Sequence, residues 1–156
     1  MAGISHTLPS PATLAWYSIG EAAHLLGISI STIRMYEREG LIITARRDSR
    51  HRRYAPGDIA RIRCIRETIQ KEKLGIAAIR RLLALIPCWK IAGCPDHERA
   101  FCGAFRQSAV PCWLASGRSR MCRSAECRSC RVYTDFTDCD SLKQAIASTP
   151  SFAGGY

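Results

Sequence analysis

Residues 19–54 read IGEAAHLLGISISTIRMYEREGLIITARRDSRHRRY, and the rest of the chain supports or controls this stretch. Ser18 and Glu21 stand three positions apart, the pattern in which each side chain accepts a hydrogen bond from the other residue's backbone amide at a helix start. The apolar positions that follow share one helical face: Ile19, Ala22, Ala23 and Leu26. Gly27 supplies the stop, so the sequence predicts a first helix of about two turns.

A second helix is predicted from Ile30 to Glu39, with Ser29 as its cap and Gly40 as its end. Two short helices joined by so few residues cross steeply, which leaves the second free to enter a DNA major groove about 12 Å wide. We expect base-edge contacts from the exposed side of this helix, at Thr32 and Arg34. Phosphate contacts are expected at Ser31, Tyr36 and Arg38.

A basic hairpin is predicted next, with Asp48-Ser49 as the turn between two short strands. Five arginines fall within eight positions, at Arg46, Arg47, Arg50, Arg52 and Arg53. Nearby carboxylates are too few to pair these arginines, whereas DNA phosphates would. The arginines expected along the DNA backbone are Arg46, Arg47, Arg52 and Arg53. Tyr54 is expected between the hairpin and the third helix, with its hydroxyl near a phosphate.

The motifs TIRMYEREGL, HRRY and DIARI occur in this order and resemble the DNA-binding domain of the MerR family of bacterial regulators. The segment LGIAAIRRLLAL is similar to the last helix of the heat-shock-repressor branch of that family. The resemblance covers roughly residues 16–86, and it implies a winged helix-turn-helix that binds double-stranded promoter DNA as a homodimer. RNA polymerase is a candidate further partner. Ala55 departs from the family, where a capping serine is more usual, so the next helix lacks that cap.

The segment after the hairpin predicts two more helices. Pro56 suits the first turn of one, which breaks at residues 70–73, and residues 74–86 carry the apolar pattern of the next. Pro87 stops that helix, so the long antiparallel coiled coil usual in this family is not predicted. Dimerisation must then be achieved otherwise, or only on DNA. Cys64 is expected to be an ordinary half-exposed residue beside the apolar face.

The chain has 156 residues and a formal net charge of +10, and its length suits one compact domain or two small ones. Residues 1–86 hold 14 of the 23 Lys and Arg but 7 of the 13 acids, which favours a nucleic-acid partner for this half. Residues 1–15 contain neither Lys, Arg nor a long apolar segment, so neither a signal peptide nor a membrane span is expected, and the protein is predicted to be cytoplasmic. Residues 1–15 are predicted to be mobile. In the tail 140–156, a short helix is predicted over residues 141–147, and residues 150–156 are predicted to fray.

Eight of the nine cysteines lie within 52 residues, which marks residues 87–139 as a second module. An odd cysteine number without an export signal argues against a disulfide framework and for thiolate–metal chemistry in a reducing cytosol. Cys139 stands apart and is expected to be free. The predicted metal ligands are Cys88, Cys94, Cys102, Cys112, Cys122, Cys127 and Cys130.

Three occupants compete for this module. Cys122-x4-Cys127-x2-Cys130 has the spacing of plant-type 2Fe-2S ferredoxins, which favours an iron–sulfur cluster. The candidates for the fourth ligand are Cys88, Cys102, Cys112 and Cys139. Zinc prefers two close cysteine pairs or Cys–His mixtures, and the sequence offers one CxxC and the half-site Cys94-x2-His97. Bare thiols acting as an oxidation switch are the third alternative.

The order CWKIAGC, FCGAF, PCW, MC and CRSCRVY resembles the two-CW cysteine-rich module of bacterial signalling proteins, which implies metal or cluster binding without settling which. The sequence therefore predicts a mainly α protein with a winged helix-turn-helix DNA-binding domain and a small metal-stapled cysteine module. The predicted function is MerR-type transcription regulation under a metal, redox or cluster signal, without catalysis. The alternative is a DNA- or protein-docking adaptor with structural zinc. A thiol oxidoreductase is disfavoured, because no thioredoxin-like strand and helix surround the CxxC.

Overall fold

A computed structural model describes residues 16–47, 51–124, 126–137, 139–141 and 144. These residues do not include the segment 1–15, which was predicted to be mobile. They also leave out most of the tail 140–156, in which residues 150–156 were predicted to fray. Asp48, Ser49 and Arg50 of the expected hairpin turn likewise lie outside them. None of the helices within the described ranges reaches the length and apolarity that a bilayer crossing requires.

The first two helices lie where the sequence predicts them, as α1 (Ile19–Leu26) and α2 (Ile30–Arg38). The Ser18 amide donates to Glu21 Oε2 at 2.6 Å, and the Glu21 amide donates to Ser18 Oγ at 3.3 Å. Gly27 ends α1 with φ +60°, a left-handed conformation that glycine adopts without a Cβ clash. The two helices contact each other across this short turn, so the predicted helix-turn-helix is present.

An antiparallel hairpin follows, formed by β1 (Ala45–Arg47) and β2 (His51–Arg53), where two short strands were predicted. Tyr17 and Tyr54 exchange backbone N–H···O hydrogen bonds of 2.9 Å in both directions. These bonds tie the end of the hairpin to the residues before α1. The hairpin therefore sits beside the helix-turn-helix, and its role as a DNA-binding wing stays a prediction.

Two further helices complete the first half, α3 (Pro56–Lys71) and α4 (Ile76–Ala84). Ala55 has no side-chain acceptor for the start of α3, as expected, but the Asp58 carboxylate accepts the Ala55 amide at 2.7 Å. The buried core that these four helices share includes Leu26, Ile33, Leu41, Ile59, Ile62, Ile65, Ile79 and Leu83. After α4 ends before Pro87, no long helix follows in the described part of the chain, in agreement with the missing coiled-coil pattern.

The second half consists of short helical segments. They are α5 (Cys88–Ile91), α6 (Asp96–Arg99), α7 (Gly103–Arg106), α8 (Arg120–Ser124), a 3-10 turn (Cys127–Ser129) and α9 (Arg131–Thr134). Four side chains from this half are buried in the same core as α1 to α4: Trp113, Val132, Tyr133 and Phe136. The cysteine-rich segment therefore packs directly on the helix-turn-helix domain.

Cys64 and Cys139 form a disulfide, with Cα atoms 5.6 Å apart. This corrects the expectation that Cys139 is free or a fourth metal ligand, and the expectation that Cys64 is an ordinary half-exposed residue. It also departs from the argument against disulfide bonding. The argument from an odd cysteine number considers only the total, so it cannot exclude a single pair. One disulfide among nine cysteines leaves seven free thiols. The pair spans 75 residues, a separation that no local spacing motif reveals.

Candidate DNA interface and cysteine site

The exposed side of α2 and the strand β2 meet at one surface concavity, which we call the basic concavity. It is bordered by Ser18, Ile19, Arg34, His51, Arg52 and Arg53. Arg34 and Arg52 are exposed and Arg53 is half-buried, and no acidic residue is among these six. The fold thus gathers three guanidinium groups where base and phosphate contacts were expected. His51 was not predicted, although its place in the basic run HRRY was the available signal.

The other predicted DNA contacts on α2 are placed unequally. Ser31 and Arg38 are exposed, whereas Thr32 is half-buried. The hydroxyls of Ser31 and Thr32 each lie 2.8 Å from the serine hydroxyl that caps α2, so both also support the helix start. For Arg46 and Arg47 the structure describes their backbone in β1 and not their side chains.

Tyr36 and Tyr54 correct the expected contact set, because both side chains lie in the core. Tyr36 is 3% exposed and Tyr54 is fully buried. The Tyr54 hydroxyl donates to the Glu37 carboxylate, which also pairs with Arg52 at 3.2 Å. Burial, followed by this hydrogen bond, raises the pKa of Tyr54. Their rings fill the space beneath the hairpin, so neither hydroxyl is placed to contact a phosphate.

Comparison with known proteins agrees with this geometry. Residues 17–86 match the MerR HTH family of regulatory proteins. Residues 17–86 therefore have the sequence of a MerR-type domain. Over 69 residues it is 38% identical to a Streptomyces coelicolor protein described as heat shock protein HspR. That match covers 44% of this chain and 46% of the relative, so the chain spans about half the length of the curated protein it matches. No solved structure matches the chain significantly. The expected resemblance to the MerR family, in its HspR-like branch, is confirmed for residues 17–86.

Five of the seven cysteines predicted as ligands border one small cavity of about 30 Å³, which we call the cysteine cavity. They are Cys88, Cys112, Cys122, Cys127 and Cys130. Cys102 does not border this cavity. It is buried with Ala104 and Ala115, and Cys112 packs against that cluster. Cys94 contacts the carbonyl of Pro95. The structure therefore gathers the complete Cys122-x4-Cys127-x2-Cys130 run, with Cys88 and Cys112 as the neighbours able to supply a fourth sulfur.

The environment of the cysteine cavity acts differently on its individual sulfurs. Arg118 donates a hydrogen bond to Cys127 Sγ at 2.6 Å. A hydrogen bond between Cys88 and Cys112 lowers the pKa of Cys88 and raises that of Cys112, and burial raises the pKa of Cys122. Within the described residues, no three His, Cys, Asp or Glu side chains already converge on a point that holds one metal ion. The sulfurs surround a cavity without forming a preset mononuclear site.

Arg128 and Tyr133 connect the cysteine segment to the helix-turn-helix domain. The Arg128 guanidinium pairs with the buried Asp58 carboxylate at 2.5 Å and also donates to the Ile43 carbonyl. The Tyr133 hydroxyl accepts the Ile43 amide at 2.8 Å and donates to Asp58 Oδ1 at 3.3 Å. These contacts hold the start of α3 and the chain just before β1. Sequence reasoning missed them, although CRSCRVY was singled out as a motif.

Trp113 makes a second connection, at the end of α2. Its Nε1–H donates to the Gly40 carbonyl at 2.7 Å, and its ring is 9% exposed. Gly40 adopts φ +70°, and a Cβ there would lie 2.2 Å from a methyl carbon of Leu114. Glycine at this position therefore follows the end of α2 and lets the cysteine segment approach that end closely.

Arg61 is a buried arginine at this junction. It is 3% exposed, donates to the Tyr133 carbonyl, and places its guanidinium 4.1 Å from the ring centre of Tyr133 and 5.6 Å from that of Trp113. Burial lowers its pKa. Its Nε and Nη1 atoms have no hydrogen-bond partner among the described residues. The junction therefore holds more buried positive charge than Asp58 alone balances.

Proposed function

We propose that this chain is a transcription regulator in which the basic concavity binds promoter DNA and a metal centre in the cysteine cavity sets the DNA affinity. One observation carries the proposal. Two cavity residues, Cys112 and Cys127, stand next in sequence to Trp113 and Arg128, whose side chains bind the end of α2 and the chain before the hairpin. Occupation of the cavity would therefore act on both elements expected to touch DNA.

The chemistry of the donor set supports an anionic thiolate centre. Clustered cysteine sulfurs select zinc or iron–sulfur clusters over harder cations. Such a centre would be negatively charged, which suits the positive charge of Arg118, because Arg118 borders the cavity and donates a hydrogen bond to Cys127 Sγ. We favour an iron–sulfur cluster held by Cys122, Cys127 and Cys130.

The fourth cluster ligand would be Cys88 or Cys112, because both border the cavity. Cys102 does not border it, and Cys139 is in the disulfide. Zinc is the runner-up. A bound cluster supplies electron transfer, whereas zinc supplies a cross-link alone. Because the cavity measures about 30 Å³, the loops that carry these ligands must adjust on binding.

For DNA we assign base-edge contacts to Arg34 and phosphate contacts to Arg38, Arg52 and Arg53. Exposure and the shared concavity support three of these, and Arg38 is exposed on α2. We further propose that the chain binds as a homodimer and contacts RNA polymerase. The MerR-type domain and the two-fold symmetry of most such DNA sites support this part.

The test is anaerobic purification followed by metal analysis and a visible spectrum, with DNA binding measured before and after exposure to air. Iron and sulfide with an absorption band near 400 nm, about where thiolate-bound clusters absorb, together with altered DNA affinity after air exposure, is the expected result. Stoichiometric zinc with DNA binding indifferent to air would contradict sensing and leave a structural staple.

Two variants sharpen this experiment. Cys127→Ser removes a cavity sulfur, and Cys94→Ser removes a half-buried cysteine that lies outside the cavity. We expect the first to lose bound metal and its effect on DNA affinity, and the second to match the native protein. Equal metal content in both variants would show that the cavity is not the binding site.

A further inference from the structure

Two cysteines that the proposed metal centre does not use are joined to each other, one of them on α3. Cys64 lies on α3 and Cys139 follows the cysteine segment, so their bond links the two halves of the molecule. The Cα separation of 5.6 Å lies within the range of about 4.4–6.8 Å that disulfides require. The backbone therefore already holds this pair at bonding distance.

Both sulfurs sit beside a cavity and within reach of solvent. Cys139 is exposed and Cys64 is half-buried, and the Thr68 hydroxyl lies 3.8 Å from Cys139 Sγ. The pair borders a cavity of about 150 Å³ between α3, α4 and the segment that contains Phe136. A small disulfide in solution can thus reach Cys139 without opening the core.

We propose that Cys64 and Cys139 form a reversible thiol–disulfide clasp whose substrate is a low-molecular-weight disulfide such as oxidised glutathione. The clasp is a redox input separate from the metal centre, and it rests on the proposed DNA-binding function only for its readout. In a reducing cytosol the pair is open, and a rise in the disulfide pool closes it.

The chemistry balances without any further reactant. The Cys139 thiolate attacks the small disulfide, whose S–S bond breaks to release one thiolate, which takes up the proton that Cys139 lost. The Cys64 thiolate then attacks Sγ of Cys139, forming the protein disulfide and releasing the second small thiol with the remaining proton. Two electrons pass from the protein to the small disulfide, and excess thiol reverses both steps.

Closing the clasp tethers the far end of the cysteine segment to α3. The near end is already held, because α4 leads directly into Cys88. A segment fixed at both ends keeps Arg128 and Trp113 on the chain before β1 and on the end of α2. The closed form is therefore preorganised for DNA, and we expect it to bind a cognate duplex at least about fivefold tighter than the open form.

The experiment equilibrates the full-length, metal-loaded protein anaerobically with buffers of increasing oxidised-to-reduced glutathione ratio. Free thiols are then alkylated, and the protein is digested and analysed by mass spectrometry. We expect a cross-linked peptide pair that joins Cys64 to Cys139. Its mass should be about 2 Da below the summed masses of the two thiol peptides, because two hydrogens are lost. DNA affinity is measured on the same samples.

Cys64→Ser should abolish the cross-link and the redox dependence of DNA affinity while it leaves the metal content unchanged, and Cys94→Ser should leave both effects intact. Three results would overturn the clasp: no Cys64–Cys139 peptide at any ratio, equal DNA affinity of the two redox forms, or metal loss in Cys64→Ser. Absence of DNA binding in every sample would instead refute the proposed function and, with it, the regulatory role of the clasp.

Discussion

The ion pair between Arg128 and Asp58 offers the sharpest test of how the cysteine segment is held. Their side chains are 12% and 4% exposed, and the closest N···O distance is 2.5 Å. Removing one partner of a buried pair leaves an uncompensated charge and costs about 3–5 kcal/mol. After Arg128→Met, Asp58 keeps hydrogen bonds from the Ala55 amide and the Tyr133 hydroxyl, so the lower end of that range is expected.

A double-mutant cycle separates the pair from its surroundings. Asp58→Asn keeps an acceptor for the helix start but removes the charge, and the double variant with Arg128→Met removes both charges of the pair. We therefore expect the double variant to lose less stability than the two single variants combined, with a coupling of about 2–3 kcal/mol. With an m-value of about 2 kcal/mol/M, Arg128→Met should lower the urea midpoint by roughly 1.5 M.

The exposed pair between Lys71 and Glu67 is the matched control. Its N···O distance is 3.5 Å and its side chains are 74% and 49% exposed, so Lys71→Met should change stability by less than about 0.5 kcal/mol. A coupling below about 1 kcal/mol between Arg128 and Asp58 would place that pair in the same class as this one. The cysteine segment would then not be anchored through Arg128, and the reasoning about docking would be refuted.

Three further predictions follow from single side chains. Arg34→Ala should reduce discrimination between cognate and scrambled duplexes by about 1–3 kcal/mol, whereas Arg53→Ala should weaken both alike and lower the salt slope by about 1 in a titration. Trp113→Phe loses the hydrogen bond to the Gly40 carbonyl and should cost about 1–2 kcal/mol in urea unfolding at an unchanged m-value. Burial raises the pKa of Tyr133 to about 12. The unfolded tyrosine ionises near pH 10, so stability should fall by about 2–3 kcal/mol between pH 10 and 12. Tyr133→Phe should abolish that part of the pH dependence.

The sequence predicted the local elements well because their signals are local. The reciprocal cap of Ser18 and Glu21, the glycine stops and the apolar spacing of α3 each act within a few residues, and each element lies where expected. The strands β1 and β2 were likewise recognised from a basic run with a turn at its centre. Such features depend on neighbours along the chain, so the chain order alone reveals them.

Contacts between distant residues were the part that the sequence did not reveal. Tyr36 and Tyr54 were predicted near phosphates, although Tyr54 was also expected to pack against the third helix, and both rings are buried in the core. The pair of Cys64 and Cys139 is separated by 75 residues, and Arg128 reaches Asp58 across 70. No periodicity relates positions so far apart, and their pairing depends on how the cysteine segment packs on α3.

The contacts of Arg128 explain why this packing matters for control. Arg128 stands between Cys127 and Cys130, so its guanidinium cannot stay on Asp58 and on the Ile43 carbonyl if the two sulfurs change their separation. Hydrogen bonds to charged groups contribute about 1.5–3 kcal/mol and weaken steeply when distance or angle changes. A centre that holds the sulfurs would therefore determine the position of this arginine. Through the hydrogen bond to the Ile43 carbonyl, it would also determine how rigidly the chain before β1 is held. The same logic makes Arg128→Lys informative. Lysine keeps the charge for Asp58 but lacks the planar group that also reaches the carbonyl, so the ion pair should largely survive while control of the hairpin is lost.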